Sequence, residues 1–290
     1  MEGIIIKNIS NDYTVITNNN DLVKCKPRGK FRNNKQTPLV GDKVIIDKEE
    51  KVILEIKKRK NELIRPSVSN IDIAVIVTSV KDPNFDSNLL DKQLTIISYN
   101  NIIPVIYFTK LDLLTTQKQD EISKIIDYYK RIGYIVSTNP VDLLKLITNK
   151  IVVLTGQSGA GKSTLLNKID PTLELKTNEI SKALGRGKHT TRHTELFKTN
   201  NTYIVDTPGF SKIDFLNMKE IDIRDNMKEM FDNLHYCKYS DCMHIKEDGC
   251  YIKNLVEQKE ILESRYNNYK SFIQRWYNDK NFPFNFSFKR

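Results

Sequence analysis

The sequence predicts an α/β protein in three parts: an N-terminal β-barrel, a central doubly wound α/β domain and a C-terminal α-helical module. Three successive patterns along the 290 residues indicate this division. Short alternating or β-branched runs fill residues 1–66, and strand-like and helical runs alternate over 67–216. Helical patterns interrupted by a group of cysteines fill 217–290.

The N-terminal part is predicted to be a small closed barrel of the OB type. Its five short strand-like runs are separated by turn signals such as "SND" and "NNND", and this barrel often binds oligonucleotides. The part holds 15 Lys and Arg against 9 Asp and Glu, and the whole chain has a net charge of +10. One interpretation is RNA binding through phosphate contacts, with base stacking on Phe31 in a basic loop. The other is a solvated basic surface.

The central part is predicted to be a doubly wound sheet. Buried-strand runs such as "IDIAVIVTS", "IIPVIYFT" and "KIVVLTG" alternate with helical runs such as "NLLDKQLTIISYN". In sheets of this kind the ligand binds at the carboxyl ends of the strands. The residues that follow each strand are therefore the candidates for a binding site.

A phosphate-binding loop follows one of these strands. The segment "GQSGAGKS" matches G-x-x-x-x-G-K-[ST] between a predicted strand and a predicted helix. Backbone N–H groups of such a loop converge on phosphates, Lys162 should reach the β and γ phosphates, and Ser163 should ligate Mg²⁺. A chance glycine-rich turn is the alternative. The predicted nucleotide-binding residues here are Gly156, Gln157, Ser158, Gly159, Ala160, Gly161, Lys162, Ser163 and Thr164.

Two further segments suit the γ-phosphate and the magnesium ion. The segment "DTPG" ends a predicted strand, so Asp206 is placed to hold Mg²⁺ through water and the Gly209 N–H to meet a γ-phosphate. Between it and the phosphate-binding loop lies "GRGKHTTRHT", in which either Thr190 or Thr191 is a candidate to cap Mg²⁺. This loop is interpreted as a switch, and a basic surface loop is the alternative.

The base is selected by a fourth segment. "TKLD", comprising Thr109, Lys110, Leu111 and Asp112, ends another predicted strand. A carboxylate at Asp112 can accept hydrogen bonds from N1–H and the 2-amino group of guanine, whereas adenine has neither donor on that edge. Ser137, in the "VST" that ends the next strand, suits a backbone contact to guanine O6.

These motifs stand in an unusual order, because the guanine-reading segments precede the phosphate-binding loop. The order is that of a circular permutation, which leaves the site intact because only the connections change. With all motifs in place, the chain resembles the ribosome small-subunit-dependent GTPase A family of circularly permuted GTPases over essentially its whole length. The resemblance implies GTP hydrolysis to GDP and phosphate with Mg²⁺, slow in the free protein and stimulated by the small ribosomal subunit. It also implies a role in late maturation of that subunit, with the rRNA of the subunit as partner. The protein is expected to act as a monomer.

A metal site is predicted in the C-terminal part. The spacing Cys237-x4-Cys242-x-His244-x5-Cys250 supplies three thiolates and one imidazole, a complete tetrahedral set for structural Zn²⁺. Reduced thiols beside a surface histidine are the alternative. The spacing also matches the zinc motif of the family that the chain resembles. Cys25 lies far away and is interpreted as a strand residue.

The catalytic group is a hypothesis. Phe210 stands where related GTPases have a water-orienting Gln, so intrinsic hydrolysis should be slow. We expect His189 in the switch loop to orient the attacking water, with His193 as the competing candidate. Thr109 stands where Asn is usual in the family, which predicts somewhat weaker binding of guanine nucleotide.

The remaining expectations concern partners and location. Arg265, Lys270, Arg275 and Trp276 are candidates to face RNA, and the Phe-rich tail over 282–288 is expected to pack on its own domain or to stack on RNA. No apolar run approaches the roughly 18 residues of a membrane span, and the first residues lack the basic start of a signal peptide. The sequence thus predicts a cytoplasmic protein with no membrane contact. A P-loop ATPase or kinase, and an RNA-binding zinc protein that does not use hydrolysis, are the other classes considered.

Overall fold

The computed structural model of the chain describes residues 1–29, 31, 36–63, 67–173, 195–199, 201–206, 214–215 and 217–279. Five N-terminal strands close into a barrel, as the sequence predicted. They are β1 (Glu2–Ile9), β2 (Asp12–Thr17), β3 (Leu22–Pro27), β4 (Lys43–Asp47) and β5 (Val52–Ile56), in the order β1-β2-β3-β5-β4 with β4 pairing back to β1. Alternate residues are buried because successive side chains point to opposite faces, and Cys25 of β3 is one of them.

A short hairpin connects the barrel to the central domain. Its strands are β6 (Glu62–Leu63) and β7 (Val68–Ser69). Arg59 donates from Nε and Nη2 to the two carboxylate oxygens of Asp42, each at 2.8 Å, and the Ser69 hydroxyl donates to Asp42 at 2.6 Å. Because Asp42 is fully buried, this bidentate pair fixes the connection against the barrel.

The central sheet is doubly wound, which confirms the prediction. Its strands are β8 (Ile73–Ser79), β9 (Ile103–Thr109), β10 (Ile135–Ser137), β11 (Ile151–Thr155), β12 (Glu195–Thr199) and β13 (Thr202–Asp206), in the order β10-β9-β8-β11-β13-β12. All their pairings are parallel except the one between β12 and β13. The carboxyl ends of β8, β9, β10, β11 and β13 therefore share one edge.

Helices cover both faces of this sheet. They are α1 (Ser87–Tyr99), α2 (Thr116–Arg131), α3 (Pro140–Ile147) and α4 (Lys162–Ile169). Strand β8 shows the division: Ile76 belongs to the core that contains Leu94 of α1, whereas Val77 belongs to the core that contains Leu165 of α4. A strand that is buried on both faces needs a continuous apolar run, and "IAVIVTS" provides one.

Strand β12 joins the barrel to the central sheet. Lys7 of β1 lies opposite Glu195 of β12 in antiparallel pairing, and the Lys7 Nζ lies 2.8 Å from a carboxylate oxygen of Glu195. The two sheets thereby form one sheet of eleven strands. The barrel is thus fixed to the strand that leads through β13 to Asp206.

The C-terminal part is helical, and its core also includes Ile96 of α1. Its helices are α5 (Glu220–Asp225), α6 (Lys228–Asp232), α7 (Tyr251–Glu257) and α8 (Glu263–Asp279). The sequence pattern predicted two longer helical stretches, and the structure divides each of them. Between α7 and α8 the chain turns at Lys259, whose φ is +60°, and the amides of Glu260 and Ile261 both donate to Leu255 O. This turn brings Ile261 into the core, where it is 3% exposed.

Helix α8 packs against α1, and one prediction for it is wrong. Arg265 does not face a partner: it is 1% exposed and donates hydrogen bonds to Asp91 and Glu229. A buried guanidinium needs paired carboxylates, and both are inside the protein. Trp276 is half-buried and donates from Nε1 to Met218 O at 2.6 Å. None of the described helices has the length and apolar character that a bilayer crossing requires.

Candidate functional site

The phosphate-binding loop connects β11 to α4 at the shared edge of the sheet. The backbone geometry requires a glycine at position 156, because φ of Gly156 is +131° and a Cβ there would lie 2.1 Å from Val77 O. The Lys162 ammonium donates to Gly156 O at 2.9 Å and to Gln157 O at 2.6 Å. Burial lowers the pKa of Lys162. The loop therefore holds a cation beside the amino end of a helix, an arrangement that suits an anionic phosphate.

Thr109 connects the guanine-reading segment to this loop. It ends β9, and its hydroxyl donates to Ala160 O of the loop at 2.7 Å. A Cβ added at Gly161 would lie 3.7 Å from the Thr109 methyl group, so the two segments lie close together. The threonine hydroxyl therefore links the guanine-reading segment to the phosphate-binding loop.

The rest of the "TKLD" segment bends away from β9. Lys110 has a φ of +63°, and a short 3-10 helix, Leu111–Leu113, follows it. Lys110 Nζ donates to Asp82 O, which holds its side chain along the neighbouring loop. Asp112 is exposed. Its carboxylate is thus free of protein burial and open to a base.

Ser137 ends β10, the next strand of the sheet. It is 9% exposed, and its hydroxyl donates to Asn139 O at 3.0 Å. Asn139 in turn accepts from the Val141 amide at 2.8 Å and caps α3. The serine therefore stabilises the turn after β10, whose backbone was predicted to contact the base.

The structure brings most of the predicted nucleotide-binding residues to one edge of the sheet. These are Thr109, Lys110, Leu111, Asp112, Ser137 and the loop residues Gly156 to Thr164, with Ser163 in the first turn of α4 and 7% exposed. Asp206 ends β13, the parallel neighbour of β11. His189, Thr190, Thr191 and Gly209, together with His193 and Phe210, lie outside the described residues.

The predicted metal ligands are also together. One ligand atom each from Cys237, Cys242, His244 and Cys250 lies within 4.8 Å of all the others. His244 Nε2 lies 3.1 Å from Met230 O, and its Nδ1 lies 3.5 and 3.4 Å from the sulfurs of Cys237 and Cys250. Because a carbonyl only accepts, Nε2 carries the proton and Nδ1 is the nitrogen that can ligate a metal.

Burial sets the protonation of this cluster. It lowers the pKa of His244 to about 4, so the imidazole is neutral near pH 7. It raises the pKa of Cys242 to about 12, so the thiol keeps its proton unless a cation displaces it. Three thiols and a neutral imidazole that face one another fit a divalent metal, which would take them as thiolates and release protons.

Glu247 organises the loop around His244, and the sequence interpretation missed it. Its carboxylate accepts from the amides of Met243, Ile245 and Lys246 at 2.9, 2.8 and 3.0 Å. Burial acts to raise the pKa of Glu247, but these N–H groups outweigh it and the pKa is lowered. An acidic residue three positions after a ligating histidine was the available signal.

Comparison with known proteins matches the site to one family. The family model described as RsgA GTPase matches residues 56–216, and the model of the RsgA N-terminal domain matches residues 2–52. "Small ribosomal subunit biogenesis GTPase RsgA 2" of Oceanobacillus iheyensis is 47% identical over 283 residues, which cover 94% of this chain and 96% of that protein. The Enterococcus faecalis protein named "Small ribosomal subunit biogenesis GTPase RsgA" is 44% identical, with 94% of each chain covered.

Solved structures show the same architecture. YloQ, described as a circularly permuted GTPase, is 36% identical with a TM-score of 0.81, and the match covers 96% of this chain and 95% of YloQ. YjeQ from Thermotoga maritima is 31% identical with a TM-score of 0.81, over 94% of this chain and 97% of that one. The permuted order of motifs is thereby confirmed. The chain belongs to the RsgA family of circularly permuted GTPases, enzymes that hydrolyse GTP.

Proposed function

We propose that this GTPase works on the small ribosomal subunit, where it hydrolyses GTP to GDP and phosphate and assists late maturation of the subunit. Turnover is slow when the protein is free. The observation that carries the proposal is the hydrogen bond from Thr109 to Ala160 O, because it unites the guanine-reading segment and the phosphate-binding loop in one site. The names of the relatives, which refer to small ribosomal subunit biogenesis, support the partner.

In the nucleotide site each predicted residue has a role. Asp112 accepts from the guanine edge, the Lys110 stem lies along the base, and the backbone at Ser137 contacts O6. The amides of residues 156–164 and the Lys162 ammonium hold the phosphates. Mg²⁺ would be held by the hydroxyl of Ser163, a residue that is 7% exposed, by Asp206 and by one of Thr190 and Thr191. The Gly209 N–H contacts the γ-phosphate.

The chemistry depends on positioning. Bound Mg²⁺ neutralises charge that develops on the β and γ phosphate oxygens. His189 orients the attacking water on the small subunit. This group is needed because Phe210, at the place of the usual Gln, cannot orient water. Slow turnover in the free protein follows from this requirement.

The RNA-binding surface is assigned to the barrel. On β3, Lys24 and Lys26 are exposed and alternate with buried Val23 and Cys25, so both cations project from the outer face. Cations on that face suit the phosphates of rRNA. The protein acts as a cytoplasmic monomer without membrane contact. Its divisions are the RNA-binding barrel at 1–66, the GTPase domain at 67–216 and the zinc module at 217–290.

The Cys and His cluster is assigned to one structural Zn²⁺. The donor set has the type and number that zinc prefers, and the hydrogen bond from Nε2 to Met230 O presents Nδ1 of His244 to the cluster. All four ligands would come from the protein, so the metal would stabilise the module and would have no position open for substrate.

The proposal is tested by GTP and ATP hydrolysis with the purified protein, with and without small ribosomal subunits. We expect slow GTP turnover that rises at least about tenfold with subunits and no comparable ATP turnover. If subunits leave GTP turnover unchanged, the assignment of the nucleotide site stands, and the assignment of the small subunit as partner is refuted. The same assay with large subunits is the matched control.

A further inference from the structure

Three consecutive residues of α1 each contact a different part of the molecule. Gln93 contacts the strand that leads into the phosphate-binding loop, Lys92 contacts the segment that follows "DTPG" in the chain, and Asp91 contacts α8. All three side chains lie in protein: Asp91 and Gln93 are 0% and 2% exposed, and the Lys92 side chain is 14% exposed.

The contact with the loop is a buried hydrogen bond. Gln93 Nε2 donates to Thr155 Oγ1 at 2.8 Å, and Thr155 is itself 2% exposed. Thr155 is the last residue of β11 and is bonded covalently to Gly156, the first residue of the phosphate-binding loop. A displacement of α1 therefore acts on the position of Gly156, where the Val77 carbonyl leaves no room for a Cβ.

The contact with α8 is a buried ionic network. Arg265 donates from Nη1 to Asp91 at 2.5 Å, and Asn268 of α8 donates to the other carboxylate oxygen at 2.6 Å. Arg265 also donates from Nε to Glu229 of α6 at 2.7 Å. Breaking such a network is strongly destabilising because it leaves charges unpaired in the interior. Helix α1 is therefore coupled to the C-terminal module through this network, which Tyr129 of α2 also joins by donating to Asp91 at 2.6 Å.

The middle contact ties in a third segment. Lys92 Nζ lies 3.1 Å from Asp214, and it lies 5.6 Å from the centroid of the Phe215 ring. Phe215 in turn packs against Phe272 of α8, with the ring centroids 5.1 Å apart. The segment at 214–215 is thus held between α1 and α8.

We propose that α1 transmits the position of the C-terminal module to the phosphate-binding loop, with Gln93 as the positioning residue. A partner that shifts the C-terminal module shifts α1, and Gln93 moves the root of the loop relative to the γ-phosphate. Coupling between two sites is reciprocal, so a nucleotide at the loop also stabilises the C-terminal module. The expected effect on stimulated GTP turnover rests on the proposed stimulation by the small subunit. The expected stabilisation of the C-terminal module by bound nucleotide rests on the nucleotide site alone.

The test compares two substitutions on α1. Gln93→Met keeps the size of the side chain and removes the amide. Thr95→Val is the matched control, because it removes a buried hydroxyl whose bond to Asp91 O stays inside α1. The full chain with its zinc is used, and the melting temperature of each variant is recorded.

Two measurements are made. The first is hydrogen exchange of amides in α8 with and without a non-hydrolysable GTP analogue, in the absence of ribosomes. The second is kcat and KM for GTP with saturating small subunits. For Gln93→Met we expect the nucleotide-dependent protection of α8 to fall by about fivefold or more and the stimulated kcat by about tenfold. Its KM and its unstimulated rate should change less than about threefold, and Thr95→Val should resemble the unsubstituted protein.

The outcomes separate the two claims. The inference is overturned if Gln93→Met and Thr95→Val give the same hydrogen exchange in α8 and the same kinetics of GTP hydrolysis. If subunits do not stimulate the unsubstituted protein, the proposed function fails, and the exchange measurement alone decides the inference. If Gln93→Met does not fold, Thr155→Val and Thr155→Ser replace it: only the valine variant, which lacks the hydroxyl, should lose the protection of α8.

Discussion

The Thr109 hydroxyl lies 2.7 Å from Ala160 O, so the residue that reads as a departure from the family pattern connects the guanine-reading segment to the phosphate-binding loop. Removing this donor leaves the Ala160 carbonyl without that hydrogen bond, which should cost about 1 kcal/mol of the free energy of nucleotide binding. We expect Thr109→Val to weaken GDP binding by about fivefold, measured by titration with a fluorescent nucleotide. Thr109→Ser keeps the hydroxyl and should bind as before.

Thr109→Asn tests the prediction of weaker binding directly. Because the hydroxyl already contacts Ala160 O, we expect a gain in affinity of no more than about threefold. A larger gain would mean that the threonine contact contributes little.

Asp112 should select the base. With Asp112→Asn the side-chain amide can donate to the 2-oxo group of xanthine but no longer accepts two bonds from guanine. We expect GTP affinity to fall at least about 100-fold and XTP binding to appear. Competition binding of GTP, XTP and ATP measures this. Asp120→Asn, an exposed site on α2, is the control, and an unchanged preference for GTP in Asp112→Asn would refute the assignment.

His189 should act on turnover and leave binding intact. In His189→Ala we expect loss of subunit-stimulated GTP hydrolysis, because an alanine side chain cannot orient the attacking water. GTP affinity should be retained. His193→Ala is the parallel variant, and stimulation that persists in His189→Ala but is lost in His193→Ala would transfer the role.

Glu247 should stabilise the metal module in a manner that depends on pH. Its pKa is lowered in the folded protein, so its stabilising effect is fully present above the ordinary pKa of 4.5 and is lost as the pH falls through the lower, folded value. Glu247→Gln should therefore lower the unfolding free energy by about 1 kcal/mol at pH 7. The difference should be the same at pH 6 and should shrink below pH 4.5.

Zinc content and melting temperature measure this effect across the pH range. Asp248→Asn, its exposed neighbour, is the control for charge alone. A difference that grew on acidification would contradict the sign of the pKa shift.

Arg265 should be essential for stability. Burial raises the pKa of Asp91, whereas at Glu229 the charge and hydrogen bonds of Arg265 outweigh burial and the pKa is lowered. Arg265→Met leaves both carboxylates without a cation and should cost about 3–5 kcal/mol, measured by urea unfolding. Adding Asp91→Asn and Glu229→Gln should restore most of the loss. Lys270→Ala on the same helix should change stability by less than about 1 kcal/mol.

The sequence by itself determined the motifs. The phosphate-binding loop, "TKLD" and the Cys and His spacing each lie within a short stretch of chain, so local spacing alone brings their groups together. The alternation of strands and helices placed the first two at one edge of a parallel sheet, and the order of the motifs revealed the permutation. The barrel followed in the same way from five short alternating runs.

The tertiary structure alone decided which charged residues turn inward and which helices act together. Arg265 reads as a surface cation until its partner Asp91, 174 residues earlier in the chain, is placed beside it. The same holds for Gln93 and Thr155, which are 62 residues apart. The energy of a buried polar contact depends on both partners and on the exclusion of water, and neither is present in a local pattern.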